Sequence, residues 1–215
     1  MIRTQRTELR RLPERGSHET SVIHAVLDAG SIAHVGFVAD GQAVVIPMIY
    51  GRDGNTLLLH GSASSRMLGA LDTGMPACAN VMVLDGLVLA RSAFHHSVNY
   101  RSVVAFGTAR AISQPARKIK ALRTISEHLL PGRWAQVRGP SKAELAATSL
   151  LEFSIEEASA KTRAGPPQDD EVDYARRVWA GVLPLSLQSS APLPDPRLAG
   201  DIDLPAYLRT TRPDR

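Results

Sequence analysis

Seven consecutive residues, His60-Gly61-Ser62-Ala63-Ser64-Ser65-Arg66, gather an imidazole, three hydroxyls and a guanidinium behind the apolar run Leu57-Leu58-Leu59. That set meets the needs of a phosphate group. Gly61 lets the backbone come close to a ligand. The serines donate hydrogen bonds, and the free amides of a helix beginning near Ser64 favour an anion. Arg66 can grip two oxygens at once. The same residues also read as a Ser-rich helix cap followed by a surface arginine, and the segment alone leaves both readings open.

A second segment, Ser97 to Ala109, alternates as a strand does, with Tyr100, Ser102, Val104 and Phe106 on one face and Arg101, Val103 and Ala105 on the other. Polar residues crowd its start and apolar ones fill the rest, as in a strand that enters a core from a polar rim. Other chemistries lack their residues. His95 and His96 are adjacent and point to opposite sides of an extended chain. No His-x-x-x-His or Cys-x-x-Cys spacing occurs, so no metal site is expected. Cys78 sits in an apolar stretch and reads as a small buried hydrophobe. The Gly-x-Ser-x-Gly turn of a serine hydrolase is absent.

The elements that must position these groups are short and closely spaced. A helix capped by Ser17 runs to about Ala29 and ends at Gly30. Ser31 to Ala39 and Ala43 to Tyr50 form a hairpin about Asp40-Gly41. Pro47 in the return strand cannot donate to a ladder, which places it at an edge or a bulge. Gly51 to Asn55 reads as a turn, Thr56 to His60 as a third strand, and Ser64 to Leu71 as a helix. Ala77 to Leu84 is a fourth strand turned by Asp85-Gly86, with Leu87 to Ala90 beyond it. The Tyr100 strand follows and runs to about Ile112. Pro115 opens a long helix carrying Ile119, Leu122, Ile125 and Leu129, closed by Pro131-Gly132. Ser141 to Glu144 matches a capping box, and Ser149 to Ile155 is a last strand. A short helical patch is expected from Tyr174 to Trp179. Short strands, tight turns and interspersed helices predict a mainly β, α+β chain: an antiparallel barrel flanked by helices.

Three regions are distinguished: a basic arm over residues 1–16, a barrel domain over 17–160, and a Pro-rich extension over 161–215. The arm holds five arginines against two glutamates, so +3 of the chain's net charge of +4 lies there. Aromatic stacking platforms are missing, which argues against nucleic acid as the partner. With one cysteine in 215 residues, no internal disulfide can form. No apolar run approaches a bilayer span and the N-terminus lacks a signal-peptide core, so a cytoplasmic location away from membranes is expected.

The Leu57–Leu71 and Ser97–Ala109 segments together resemble the FMN-binding split β-barrels of the pyridoxamine 5'-phosphate oxidase superfamily, and most closely the branch of the nitroimidazole-resistance proteins. The Tyr-Arg-Ser-Val strand ending in Phe-Gly-Thr-Ala is the most specific part, and the likeness covers about residues 17–155. It implies FMN as cofactor. Arg66 would hold the phosphate, with His60, Gly61, Ser62 and Ser65 around it. The backbone of Val45, Ile46, Pro47 and Met48 would meet the flavin ring, and Ser102 and Tyr100 would touch the cofactor from the later strand. Trp179 resembles a C-terminal tryptophan that some members place against the flavin, and is otherwise a packing anchor. His60 stands where the nitroimidazole-resistance branch has a histidine near flavin or substrate, and is the expected catalytic residue. Lys161 and Arg163 are expected on solvated surface.

The Arg-x-x-x-x-Lys segment of the oxidases proper is absent. Val45 to Tyr50 carries no charge, so pyridoxine 5'-phosphate is not expected as substrate. The resemblance implies a homodimer with FMN at the subunit interface. It implies transfer of electrons or hydride from NAD(P)H to a nitroaromatic- or quinone-like small molecule. Rival readings are an F420- or haem-binding split barrel, or a flavin carrier without turnover.

Overall fold

The computed structural model describes residues 3–209. Its centre is an antiparallel sheet closed on itself. In chain order the elements are β1 (Gly16–Ser17), α1 (Thr20–Ala29), β2 (Ile32–Ala39), β3 (Gln42–Asp53), β4 (Thr56–Ser62), α2 (Arg66–Asp72), β5 (Ala77–Leu89), β6 (Ser97–Ala111), α3 (Pro115–Leu129), α4 (Lys142–Ala147), β7 (Thr148–Arg163) and β8 (Gly181–Pro184). The strand path runs β1-β7-β4-β3-β2-β5-β6, and β6 pairs again with β7 to close the barrel. Two seams are short. β2 meets β5 only over His34–Gly36, and β3 meets β4 only over Tyr50–Asp53. The remainder of β3, Gln42 to Ile49, is paired on one side alone, to β2. This is a split β-barrel with flanking helices, as the sequence implies.

The β2–β3 hairpin turns through Asp40 (φ 51°) and Gly41 (φ 74°), the two left-handed positions that match strand twist. Ile23 and Leu27 of α1 and Leu68 and Leu71 of α2 plug the barrel. They pack on Val35, Leu57, Leu59, Val81, Val103 and Phe153, all fully buried. A second cluster seats α3: Ala121 and Ile125 lie on Leu58, Ile112 and Leu150. Gly51 makes this approach possible, because a Cβ there would lie 2.8 Å from the Ile125 backbone.

The Phe-Gly-Thr-Ala signature has a packing cause. The β6–β7 register breaks between Phe106 and Gly107, leaving Glu156 as the extra residue of a bulge. A Cβ on Gly107 would stand 1.8 Å from the Ser154 carbonyl oxygen. Gly107→Ala is therefore expected to cost about 2–3 kcal/mol in urea unfolding, as backbone must shift in a packed wall. An unchanged midpoint would show that the bulge yields freely.

Several boundaries differ from the sequence expectation. α1 begins at Thr20; the Ser17 Oγ accepts from Glu19 N instead of capping the helix. Gly51 to Asp53 stay in β3, and the turn is confined to Gly54-Asn55. Asp85-Gly86 is a bulge within one long β5, whose carboxylate is taken by Arg101. The last strand continues eight residues past Ile155, to Arg163. Arg163 is buried and donates to Asn99, Gly165 and Pro166 oxygens. No helix covers Tyr174 to Trp179; a 3-10 turn spans Glu171–Ala175, and β8 follows. Pro47 lies on the unpaired edge of β3 without a bulge. The capping box is present as expected. Glu144, held first by the Arg138 hydrogen bond, titrates at about 2.

The arm folds onto the barrel. Arg6 pairs with Glu157 and lies over the Phe106 ring, and Lys161 donates to the Arg11 carbonyl. Among the described residues no helix is long and apolar enough to cross a membrane.

Candidate functional site

Where β3 parts from β4, a cleft of about 550 Å³ opens beneath α3. β4 delivers His60 to it, β3 delivers Ile49, and α3 supplies Leu122, Ile125 and Leu129, with Trp134 just beyond. Ser126, Arg138, Pro140 and Glu144 complete the lining. Arg138 and Glu144 hold each other through two hydrogen bonds, of 2.7 and 2.5 Å. With that pair satisfied, the remaining lining is mostly apolar, its polar groups being the His60 imidazole, the Ser126 hydroxyl and the Trp134 indole N–H. Among the described residues, neither His60 nitrogen has a hydrogen-bond partner, and Nδ1 is buried. Burial lowers the His60 pKa below the ordinary value, so the ring is neutral at pH 7 with a lone pair available. A buried polar atom left without a partner costs roughly 1–3 kcal/mol, and with Nδ1 enclosed it is Nε2 that stays open to a group in the cleft.

From His60 the chain passes to the expected phosphate cradle. Ser62 and Ser64 Oγ are 2.8 Å apart, and the Ser65 hydroxyl caps α2 by accepting from Leu68 N. Gly61 has the Leu68 side chain 2.9 Å from its missing Cβ, so its bareness serves helix packing. Arg66 is exposed and, among the described residues, makes no ion pair. Val45 and Pro47 face outward on the open edge of β3, while Ile46 and Met48 lean on the core.

The other expected residues lie elsewhere in the chain. Ser102 sits on the outer face of β6 and donates to the Lys161 carbonyl; Tyr100 stands opposite Leu84 and Arg163. On β7, Leu150 pairs with His60 whereas Lys161 pairs with Ser102. Eleven residues of strand separate those two points, roughly 36 Å. Trp179, 67% exposed, covers Gly181 where β8 joins Leu89, on the Tyr100 side. One chain therefore carries two separated groups: His60 to Arg66 with the β3 edge, and Tyr100, Ser102 and Trp179.

Sequence reasoning missed the cleft's roof. The Leu122, Ile125 and Leu129 stripe was legible as a buried helix face, yet nothing marked that face as half core and half cavity wall.

A family model described as pyridoxamine 5'-phosphate oxidase matches residues 19–162, the barrel and its helices. The chain belongs to the pyridoxamine 5'-phosphate oxidase family. Two solved structures of this family's fold share far more than the barrel. The flavocytochrome Anf3 from Azotobacter vinelandii is 40% identical over 97% of each chain, with a TM-score of 0.90. A FAD- and haem-binding protein from Mycobacterium smegmatis is 39% identical, covering 91% of this chain and 96% of its own, with a TM-score of 0.86. A 5-nitroimidazole antibiotic resistance protein from Bacteroides thetaiotaomicron, at 19% identity and a TM-score of 0.57 over 68% of this chain and 85% of its own, shares the fold. Comparison with curated protein sequences returns no significant match. The pyridoxamine 5'-phosphate oxidase family match stops at residue 162, whereas the likeness to the two longer relatives takes in most of the arm and extension as well.

Proposed function

We propose that this protein is an oxidoreductase that binds a flavin and a haem, with two copies completing each flavin site. The observation that carries the haem assignment is His60: a neutral imidazole without a hydrogen-bond partner, in an apolar cleft roofed by α3. Neutral imidazole is the usual ligand of haem iron. The relatives of 39–40% identity, a flavocytochrome and a FAD- and haem-binding protein, support pairing it with a flavin.

The chain's own residues divide the work. His60 would ligate the iron, and Ile49, Leu122, Ile125 and Leu129 exclude water around it. Arg66, with Ser62 and Ser64, would hold the flavin's phosphate, and the unpaired edge at Val45 to Met48 offers backbone groups to its ring. When bound, the two cofactors supply the electron chemistry. Tyr100, Ser102 and Trp179 reach a flavin site by belonging to the second copy, since they lie far from Arg66 in their own. FAD is our assignment in preference to FMN, because the M. smegmatis relative holds FAD and an Arg66 grip suits either. A reduced nicotinamide is the assigned donor and a small quinone- or nitro-like molecule the acceptor, consuming electrons the flavin delivers. F420 is disfavoured, since Arg6 of the basic arm is already taken by Glu157.

The test is titration of cofactor-free protein with FAD, FMN, F420 and haemin, followed by absorbance and flavin fluorescence. Saturable FAD quenching together with a Soret band at one haem per chain is the expected result. Silence toward haemin overturns the haem assignment, and silence toward both flavins overturns the whole reading. Cofactors bound without nicotinamide oxidation would make the protein a carrier.

A further inference from the structure

The C-terminal extension does not end as loose chain. β8 pairs with β5, and Leu185 N donates to the Asp85 carbonyl at 3.0 Å. Farther on, Tyr207 Oη donates to Gln136 at 2.7 Å, with its ring against Gly132. The stretch between, residues 186–204, is a strap tied at both ends. Among the described residues, every hydrogen bond it makes is local, such as Leu198 N to Asp195 O and Ile202 N to Ala199 O. Pro192, Pro194 and Pro196 stiffen it in an extended form that loses little entropy on docking. Two of its leucines face away from the body, Leu187 at 95% and Leu193 at 93% exposure. A segment tied at both ends and stiffened by proline presents these side chains to a second molecule at little further ordering cost.

Charge says which molecule. The strap has Asp195, Asp201 and Asp203 against Arg197, a net charge of −2, while the arm carries +3. No ion pair joins strap and arm among the described residues of one chain. The arm borders the outer sheet face at Phe106, in the row Phe106–Cys78–Gly36–Val45, where the Val38 and Val45 side chains are exposed. We infer that the strap of one copy lies across the outer sheet face of a second copy, its leucines on that apolar patch and its aspartates on the arm. The contact is made twice about a two-fold axis. The inference rests on the two-copy reading above and names the segment that secures it.

The experiment is sedimentation of the full chain over a range of concentrations. The wild type is expected as a dimer. Leu187→Asp with Leu193→Asp is expected to raise the dimer Kd on the order of 100-fold. Its circular dichroism should be unchanged, because both side chains are exposed within the chain. Asp201→Arg with Asp203→Arg should weaken the dimer, and adding Arg10→Glu with Arg11→Glu should restore it. A monomeric wild type would overturn the two-copy reading itself. A dimer indifferent to the leucine variant would overturn the strap alone. Weakening without restoration would remove the arm as the strap's seat.

Discussion

His60→Ala is expected to abolish the Soret band of the haem-loaded protein while flavin binding and the fold persist. No other group lining the cleft is an unpartnered imidazole, so no neighbour replaces it. Loss of the imidazole that would hold the iron should cost about 100-fold or more in haem affinity, more than the 10–100-fold typical of a supporting shell. The pH profile distinguishes this histidine from an ordinary one. Burial lowers its pKa, so the ligating neutral form persists as pH falls past about 6.5, where an exposed histidine would take up its proton. Haem affinity is therefore expected to stay level from about pH 8 to pH 6.5 and to decline only below. A companion variant reads the enclosed Nδ1 without any cofactor. His60→Leu removes a buried nitrogen that has no partner, and should raise the stability of cofactor-free protein by about 1 kcal/mol. A retained Soret band in His60→Ala would take the iron elsewhere.

Arg66→Ala is expected to lower flavin affinity roughly 10- to 100-fold, as a charge-assisted phosphate contact contributes about 1.5–3 kcal/mol. The exposed guanidinium makes no ion pair among the described residues, so thermal unfolding without flavin should hardly change. Fluorescence titration with FAD reads the loss directly. Unchanged affinity with intact fold would remove Arg66 from the site and leave the serines as helix-capping groups. Ser65 already has that role toward Leu68.

Much of this architecture was legible because each element carried its own punctuation. Asp40-Gly41 announced a hairpin, Ser141 to Glu144 a capping box, and Pro115 a helix start. The misread boundaries share one cause. Asp85-Gly86 and Gly51 look like turns by residue type, yet one is a bulge and the other gives α3 its seat. Glycine in a strand serves close approach as readily as reversal, and the neighbour that approaches lies far away in sequence. The site was half legible for the same reason. His60 to Arg66 are contiguous and could be seen together. The cleft is made by α3 crossing β4 from about sixty residues downstream, a long-range contact that no spacing encodes. Arg163 was misplaced on the surface because its partners are the Gly165 and Pro166 backbone oxygens, which have no sequence signature, and the Asn99 side chain, which lies 64 residues away.

The open edge of β3 has a consequence for how copies of this chain meet. Exposed strand edges invite further strands to add on, and stacking of that kind has no natural end. Pro47 lies on this edge without an N–H to offer, which interrupts the row of donors that a foreign strand would need. Copies are thereby steered away from fusing edge to edge into a growing ribbon. The backbone that the proposed flavin site needs open is kept from recruiting protein in its place.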